Sequence, residues 1–308
     1  MAIVPPNFEE IVRDLANEEK ALANTALVDL TNLDGGGLSL LTQTWNNISL
    51  ERRRKIVTRL VELAEENFEL NFDSIFKQAL KDQDAEVRAK AIEGLWENEE
   101  PTMITPYIKL LNEDSSEIVQ AAAARALAKY AMLAELKRLG SYSSGKVAQA
   151  LLAILKDRSK PAEVWRRSLE AAAPLTLPEV KQAIQEAYSS PDVKTKNSAI
   201  YAMGKNCDSS WLPILFKEMA SANADTRFEA AGACGEICDE EAVPHLIKLT
   251  QDKDPEVQEE AILALGKIGG AKARAHLLKC LNSADENVVE AAEAALKQIE
   301  AESDSFIS

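Results

Sequence analysis

Apolar side chains recur along the chain with the spacing of amphipathic helices, and short polar segments interrupt them at regular intervals. In 239–269, the segment EEAVPHLIKLT carries apolar residues at helical spacing, QDKD breaks the pattern, and PEVQEEAILALGKI resumes it. Asp254 stands directly before Pro255, which is typical of a helix start, because the aspartate accepts from free N–H groups and proline needs no donor there. The segment therefore predicts two helices joined by a short turn.

The same pattern returns when the sequence is shifted by 31 residues. The aligned segments are 177–207, 208–238, 239–269 and 270–300. The best columns are Ala199, Ala230, Ala261 and Ala292; Ala202, Ala233, Ala264 and Ala295; and Gly204, Gly235 and Gly266. A period of this length marks a solenoid, because one helix pair cannot bury its apolar face without stacking on the next. We predict an all-α solenoid of stacked antiparallel helix pairs, with close backbone approach at the glycine column.

The register predicts how the chain is organised. Residues 1–34 are expected to form N-terminal capping helices, 35–301 an array of about eight helix pairs, and 302–308 a flexible tail. The units starting near 101 and 146 lie 45 residues apart instead of 31, so an insertion is expected near 132–145. DGGG at 34–37 is interpreted as a flexible linker.

The segments DAEVRAKAIEGL, NADTRFEAAGACGEI and DPEVQEEAILALGKIG resemble the HEAT-like repeat that is also found in phycobilisome-lyase-type proteins. The resemblance implies a right-handed, armadillo-type superhelix whose second helices line the concave face. An arginine column typical of the repeat is kept by Arg88 and Arg227 but lost at Gln258 and Val289. A continuous Asp–Arg ladder is therefore not expected.

Residue types that carry chemistry are few. His245 and His276 share a column but have no acidic neighbour, so we predict no metal site and interpret both as surface residues. The four cysteines, Cys207, Cys234, Cys238 and Cys280, are interpreted as reduced structural thiols. No phosphate-binding, dinucleotide-binding or nucleophile-elbow motif is present. We expect no cofactor and no enzymatic activity.

Charge restricts the classes of partner. The net charge is −15, which argues against general binding to nucleic acid or to anionic membranes. The middle of the chain, 131–210, has 12 basic and 8 acidic residues and is locally positive. The basic cluster ERRRK (51–55) is interpreted as the polar start of a helix. With neither a secretory signal nor a membrane-spanning stretch, we expect a cytoplasmic location.

Apolar and aromatic residues at outward positions of the second helices predict a binding surface. The predicted partner-binding residues of the concave face are Trp96, Arg125, Trp165, Arg166, Tyr201, Phe228 and Leu263. Because several of them fall in or beside the locally basic region, an acidic segment with apolar anchors is the expected ligand of 160–265.

Three functions follow from these patterns. The first is a non-enzymatic scaffold that binds a protein or peptide on the concave face. The second, implied by the resemblance alone, is a bilin-lyase-like chaperone that acts on a tetrapyrrole-carrying client protein. The third is a HEAT-like DNA-binding protein or glycosylase, which the net charge of −15 disfavours.

Overall fold

A computed structural model of the protein describes residues 8–33 and 35–305, with side chains described up to Ala301. In these ranges the chain forms eighteen α-helices and no β-strand, which confirms the predicted all-α solenoid. None of these helices is both long and apolar enough to cross a membrane. The first eight are α1 (Phe8–Ala16), α2 (Asn24–Val28), α3 (Gly35–Trp45), α4 (Leu50–Glu66), α5 (Asp73–Ala79), α6 (Ala85–Gly94), α7 (Ile104–Glu113) and α8 (Glu117–Glu135).

The remaining ten helices form five further pairs. They are α9 (Ser141–Lys156), α10 (Ala162–Ala172), α11 (Pro178–Tyr188), α12 (Val193–Lys205), α13 (Leu212–Glu218), α14 (Ala224–Ile237), α15 (Val243–Leu249), α16 (Pro255–Ile268), α17 (Gly270–Cys280) and α18 (Glu286–Ser305). Short 3₁₀ turns precede α7, α13 and α15. In each pair the second helix is the even-numbered one.

Contacts divide the chain into two compact units, Met1–Tyr130 and Ala131–Ser308. In the first unit α4 packs against α6, and α3 and α6 pack against α5. In the second unit each of α12, α14 and α16 packs against the first helix of its own pair and against neighbouring second helices. The sequence predicted one continuous array after residue 34. The observed division falls inside α8, directly before the insertion that breaks the 31-residue period.

Side-chain caps start the second helices at the position that the repeat predicts. The N–H of Val87 donates to Asp84 Oδ1 at 3.1 Å, and the N–H of Thr195 donates to Asp192 Oδ2 at 2.8 Å. Asp254 caps α16 in the same way. Each such cap contributes about 1 kcal/mol of helix stability. The polar turn between the helices is therefore part of what defines each repeat.

A seam of small residues joins successive second helices. A Cβ built on Gly204 would lie 2.6 Å from Ala233 Cα, and one built on Gly266 would lie 2.8 Å from Ala295 Cα. Gly235 meets Ala264 in the same way, at 3.0 Å. The close approach predicted for the glycine column is confirmed, and any side chain there would separate the helices.

Buried ion pairs connect the turns of neighbouring repeats. Arg88 makes two hydrogen bonds of 2.8 Å to the Asp114 carboxylate, and Arg227 binds Asp252 at 2.6 and 2.8 Å. Further pairs of this kind are Arg53–Asp82 and Lys196–Glu218. The ladder is interrupted where the column carries Gln120, Trp165, Gln258 or Val289, in agreement with the sequence analysis.

The glycine run at 35–37 is not a flexible linker, so this interpretation was wrong. These residues form the first turn of α3. Gly37 is buried, and a Cβ there would lie 3.0 Å from Leu33 Cδ2 and 3.4 Å from Phe8 Cε1. Glycine lets α3 pack closely against Phe8 and Leu33, which would have to shift to admit a larger side chain. Asp34 lies outside the described residues.

The first residues of the predicted flexible tail are helical. Helix α18 continues to Ser305, so residues 302–305 extend a regular helix. Residues 306–308 lie outside the described residues, as do residues 1–7 of the predicted N-terminal cap. The described part of that cap consists of α1 and α2.

Candidate functional site

Two residues predicted to bind a partner, Trp96 and Arg125, lie in the first unit. Trp96 follows the end of α6 with 57% of its surface exposed, and its carbonyl accepts a hydrogen bond from Lys129 Nζ. Arg125 is exposed on α8. Both side chains are accessible, and their role in binding stays a prediction.

Trp165 is not a surface residue, which corrects the prediction for this position. It is only 6% exposed, and its indole N–H donates to the Leu155 carbonyl at 3.0 Å. The Arg158 guanidinium lies 4.7 Å from the ring centroid. Burying a large apolar ring stabilises the folded protein when its one N–H group keeps a hydrogen-bond acceptor, as it does here. Trp165 therefore stabilises the pairing of α9 with α10.

The arginines of α10 are bound by glutamates of the same helix. Arg166 pairs with Glu163, and only 13% of its side chain is exposed. Arg167 pairs with Glu163 at 2.7 Å and with Glu170 at 2.8 Å. Residues three and four positions apart on a helix are neighbours, so these pairs compensate the charge locally. The positive charge expected to attract an acidic segment is therefore already neutralised on α10.

The other predicted residues lie on successive second helices: Tyr201 on α12, Phe228 on α14 and Leu263 on α16. Tyr201 is 39% exposed, and Phe228 and Leu263 are half-buried. We call the outward side of these three helices, with Tyr201, Phe228, Glu229, Glu260 and Leu263, the second-helix face. Since α14 packs against both α12 and α16, the face is continuous. Its role in binding stays a prediction.

A cleft of about 200 Å³ opens between α14 and α16. Its apolar lining includes Phe228 and Val257, and its carboxylates are Asp225, Glu229, Asp254 and Glu256. Asp254 caps α16 through the N–H of Glu256. The cleft thus combines one aromatic ring with several negative charges and no basic side chain.

Two glutamates of the second-helix face are held in an environment that disfavours their ionisation. Burial raises the pKa of Glu229 to about 7, and the charges of Glu170, Glu260 and Asp225 act in the same direction against that of Arg167. Burial also raises the pKa of Glu260. Neither carboxylate has an ion-pair partner among the side chains that the structure describes. Glu229 is therefore only partly ionised near neutral pH.

A charge network closes the end of the second-helix face. Glu236 on α14 accepts from Lys205 Nζ of α12 at 2.8 Å and from Lys267 Nζ of α16 at 2.7 Å. Burial alone would raise the pKa of Glu236, but the two lysines outweigh it and lower the pKa. Lys205 Nζ also lies 5.7 Å from the centroid of the Tyr201 ring. The lysines at this end are thus engaged by the protein itself.

The histidines are half-buried and belong to separate contacts. The His245 ring stacks on Phe216 at 4.0 Å, and His276 Nε2 lies 2.8 Å from Thr250 Oγ1. Burial lowers the pKa of His276. Within residues 8–33 and 35–305, no three His, Cys, Asp or Glu side chains come together as a metal site would require.

The four free cysteines differ in exposure. Cys234 and Cys280 are buried, whereas Cys207 and Cys238 are exposed at helix ends with left-handed backbones. The Cys207 thiol lies 3.4 Å from its acceptor Gly204 O and 3.7 Å from Glu236 O in the next repeat. Although the residue is exposed, partial desolvation of its sulfur raises the pKa of Cys207, and the charge of Glu236 acts in the same direction, so the thiolate is disfavoured. These contacts suit structural thiols.

The basic cluster at 51–55 serves the fold. Arg52 donates to the Asp14 and Leu15 carbonyls, and Arg54 pairs with Asp84 at 2.7 Å. Ile56 and Leu60 of the same helix are fully buried. The interpretation of this cluster as the polar start of a helix is therefore confirmed.

Glu229 and Glu260 were not among the residues predicted to form the site. They occupy one column with Arg167 and Ser198, next to the column of Phe228. Along this column the residue changes from arginine to serine and then to two successive glutamates, which indicates a local change in surface charge. The repeat register alone could have identified that change.

Comparisons with known proteins agree with the fold. Among solved structures, yeast importin-beta (Kap95p) is similar, with a TM-score of 0.50 and 15% identity over 96% of this chain and 46% of that chain. YibA of E. coli has a TM-score of 0.45 and 18% identity over 78% of this chain and 96% of that chain. Human deoxyhypusine hydroxylase has a TM-score of 0.37 and 18% identity, with 96% of each chain covered.

At 15% identity the likeness to yeast importin-beta shows the fold alone, and this chain spans less than half of that protein. No curated protein matched the sequence. The profile of HEAT repeats matches residues 73–157 and 212–297, which together make up more than half of the chain. With its paired helices, its seam of small residues and this match, the chain belongs to the family of HEAT-repeat proteins.

Proposed function

We propose that this protein is a non-enzymatic interaction scaffold that binds a protein or peptide through the second-helix face. The observation that carries the proposal is the arrangement of Tyr201, Phe228 and Leu263 on three consecutive second helices. Each of them is at least partly accessible, and their columns carry the polar residues Glu170, Arg166 and Asn197 in preceding repeats. Aromatic residues supply much of the energy of protein interfaces, because they bury a large area at low entropic cost.

The HEAT-repeat solenoid is consistent with this role. A stack of helix pairs presents its second helices as an extended surface that an elongated ligand can follow. The half-buried carboxylates of Glu229 and Glu260 give the surface polar groups that have no ion-pair partner among the described side chains. A buried polar group without a partner is costly, and a bound partner can satisfy it.

Site-specific photo-crosslinking tests the proposal. The photoreactive residue p-benzoylphenylalanine is placed at Tyr201 or Leu263 in the full chain, and the protein is irradiated in an extract of its native cells. Leu278, on the first helix α17, serves as the control because its 48% exposure is comparable with the 39% of Tyr201.

We expect one protein to be crosslinked from both Tyr201 and Leu263 but not from Leu278. Crosslinks from Leu278 alone, or equal crosslinks from all three positions, would refute the second-helix face as the binding surface. A bilin recovered with the protein, detected by its visible absorbance, would instead support the lyase-like hypothesis.

A further inference from the structure

Some charges on and beside the second-helix face are paired within the protein, and the charges that remain unpaired are unevenly distributed. On α10 both arginines are bound by Glu163 and Glu170. On α12, Lys196 is bound by Glu218 and Lys205 by Glu236. Lys194, exposed in the first turn of α12, has no ion-pair partner among the described side chains, whereas the other two lysines of this helix and both arginines of α10 are already paired.

Apart from Glu236, the acidic residues of α14 and α16 are not compensated in this way. Among the side chains that the structure describes, no basic group pairs with any of Asp225, Glu229, Glu256, Glu259 and Glu260. The basic residues of these two helices are Arg227 and Lys267, which are bound to Asp252 and Glu236 respectively. This part of the face therefore carries a net negative potential.

An aromatic ring lies among these carboxylates. Phe228 lines the cleft between α14 and α16 together with Val257, and the carboxylates of Asp225, Glu229 and Glu256 line the same cleft. A cation is attracted to the face of an aromatic ring, and a guanidinium binds a carboxylate through charge-assisted hydrogen bonds. The long aliphatic stem of lysine or arginine packs on apolar surface while its charged end reaches polar groups.

We propose that the cleft between α14 and α16 binds a basic segment of the protein partner, with a lysine or arginine side chain inserted between Phe228 and the carboxylates of Asp225, Glu229 and Glu256. The inference rests on the proposed function and adds the chemical class of the ligand. Charge complementarity selects this occupant, and it replaces the acidic segment expected from the sequence.

Inserting a cation also changes the protonation of Glu229. This carboxyl group faces Glu170 and Arg167 of α10, Tyr201 of α12 and Glu260 of α16. Asp225 of its own helix adds further negative charge. On α13, which also packs against α14, the charged residues are Lys217 and Glu218, and Glu218 is bound by Lys196.

Because burial among other carboxylates raises the pKa of Glu229 to about 7, the group is partly protonated at neutral pH in the unbound protein. A bound cation favours the ionised form and lowers this pKa. Binding therefore releases protons, and the affinity for a basic ligand increases as pH rises through the range around 7.

The test uses two fluorescein-labelled probe peptides and the full chain. In one peptide arginine alternates with alanine, and in the other glutamate replaces every arginine. Binding is measured by fluorescence anisotropy at low and moderate salt. We expect the arginine peptide to bind more weakly as salt increases and the glutamate peptide not to bind.

Two charge-reversal variants separate a specific cleft from general attraction to an acidic protein. The cleft variant carries Asp225→Lys and Glu256→Lys, and the control carries Glu179→Lys and Glu241→Lys. All four residues are exposed acids; Glu179, Asp225 and Glu256 lie in the first turn of an α-helix and Glu241 in a short 3₁₀ turn, so the two variants alter the net charge equally. We expect the cleft variant to lose about tenfold or more in affinity, and the control to keep nearly wild-type affinity.

The pH dependence adds a second readout. We expect affinity to rise several-fold from about pH 6 to about pH 8 in the wild type, and this rise to disappear in Glu229→Gln. Equal losses in the two charge-reversal variants, or tight binding of the glutamate peptide, would overturn the inference. Crosslinks from Tyr201 and Leu263 to a protein without a basic segment would overturn it while leaving the proposed function intact.

Discussion

Replacing Glu229 with glutamine should stabilise the protein at alkaline pH. Glutamine keeps the size of the side chain but cannot ionise. The pKa of Glu229 rises from an ordinary value of 4.5 to about 7 in the folded protein, chiefly because the carboxyl is buried. At about 1.4 kcal/mol per pKa unit, ionising this group costs roughly 3 kcal/mol of folding free energy. Partial solvation at the cleft reduces our expectation to about 2 kcal/mol.

The sign of the pH dependence follows from proton binding. Between about pH 4.5 and about pH 7 the folded protein holds a proton on Glu229 that the unfolded chain has released. The free energy of unfolding of the wild type therefore falls as pH rises through this window, and the loss is complete above it. The advantage of Glu229→Gln should be less than half of its full value near pH 5, because Glu229 is only partly ionised in the unfolded chain there, and should reach its full value near pH 8.

Urea unfolding followed by tryptophan fluorescence measures this difference at both pH values. Glu259→Gln is the control, because Glu259 is exposed on the neighbouring helix α16 and its replacement removes the same charge. We expect the control to change the unfolding free energy by less than about 0.5 kcal/mol. An equal effect of Glu229→Gln at pH 5 and pH 8, or a loss of stability at pH 8, would refute the assignment of a buried, disfavoured carboxylate.

Other substitutions test the seam, the ladder and the binding face. Gly204→Ala should destabilise the protein by about 1–3 kcal/mol through overpacking, whereas Gly145→Ala, at a helical site with no atom near the new Cβ, should stabilise it by about 0.5–1 kcal/mol; thermal unfolding shows whether the signs differ. Arg227→Met should cost about 3–5 kcal/mol in urea unfolding because it leaves a buried aspartate without its partner, and a cost below 1 kcal/mol would contradict this ladder. The double change Tyr201→Ala with Phe228→Ala should weaken partner binding by about 2 kcal/mol or more while unfolding stays cooperative at an unchanged temperature; a large loss of stability would assign both rings to the core.

The regular part of the fold could be predicted from the sequence because its constraints repeat. Ala199, Ala230 and Ala261 are all fully buried, and only a small residue fits at that point of each repeat. The caps at Asp84 and Asp192 are equally local, since each needs a polar side chain and a following helix. The division inside α8 depends on how many long-range contacts form on either side, and a repeat pattern carries no such information.

The candidate site was harder to predict, because the exposure of a residue in an outward column depends on the side chains of the adjacent repeats. Trp165 shares its column with Arg227, which is itself only 4% exposed, so this column faces the turns between helices. Glu260 is half-buried because Gly232 leaves room for it: a Cβ on Gly232 would lie 2.7 Å from a Glu260 carboxylate oxygen. The register places residues around a helix axis, whereas burial is decided by the size of side chains one repeat away.

The seam of small residues is compatible with the gain or loss of whole repeats. Each glycine of the seam meets the same kind of alanine in the next repeat, so the contact itself is generic. If 208–238 were deleted as one module, Gly204 would be followed at a distance of one repeat by Ala264, and the same backbone approach would be restored. Packing at the seam would thus tolerate the gain or loss of whole 31-residue modules.

The charge network beside the seam does not share this tolerance. It alternates in sign along the stack, with Glu236 between Lys205 and Lys267. Deleting the central module would bring the two lysines together, and duplicating it would set two copies of the glutamate side by side. Like charges at such short range oppose assembly. The seam allows one repeat to replace another, whereas the alternating charges restrict which repeats can be adjacent in the stack.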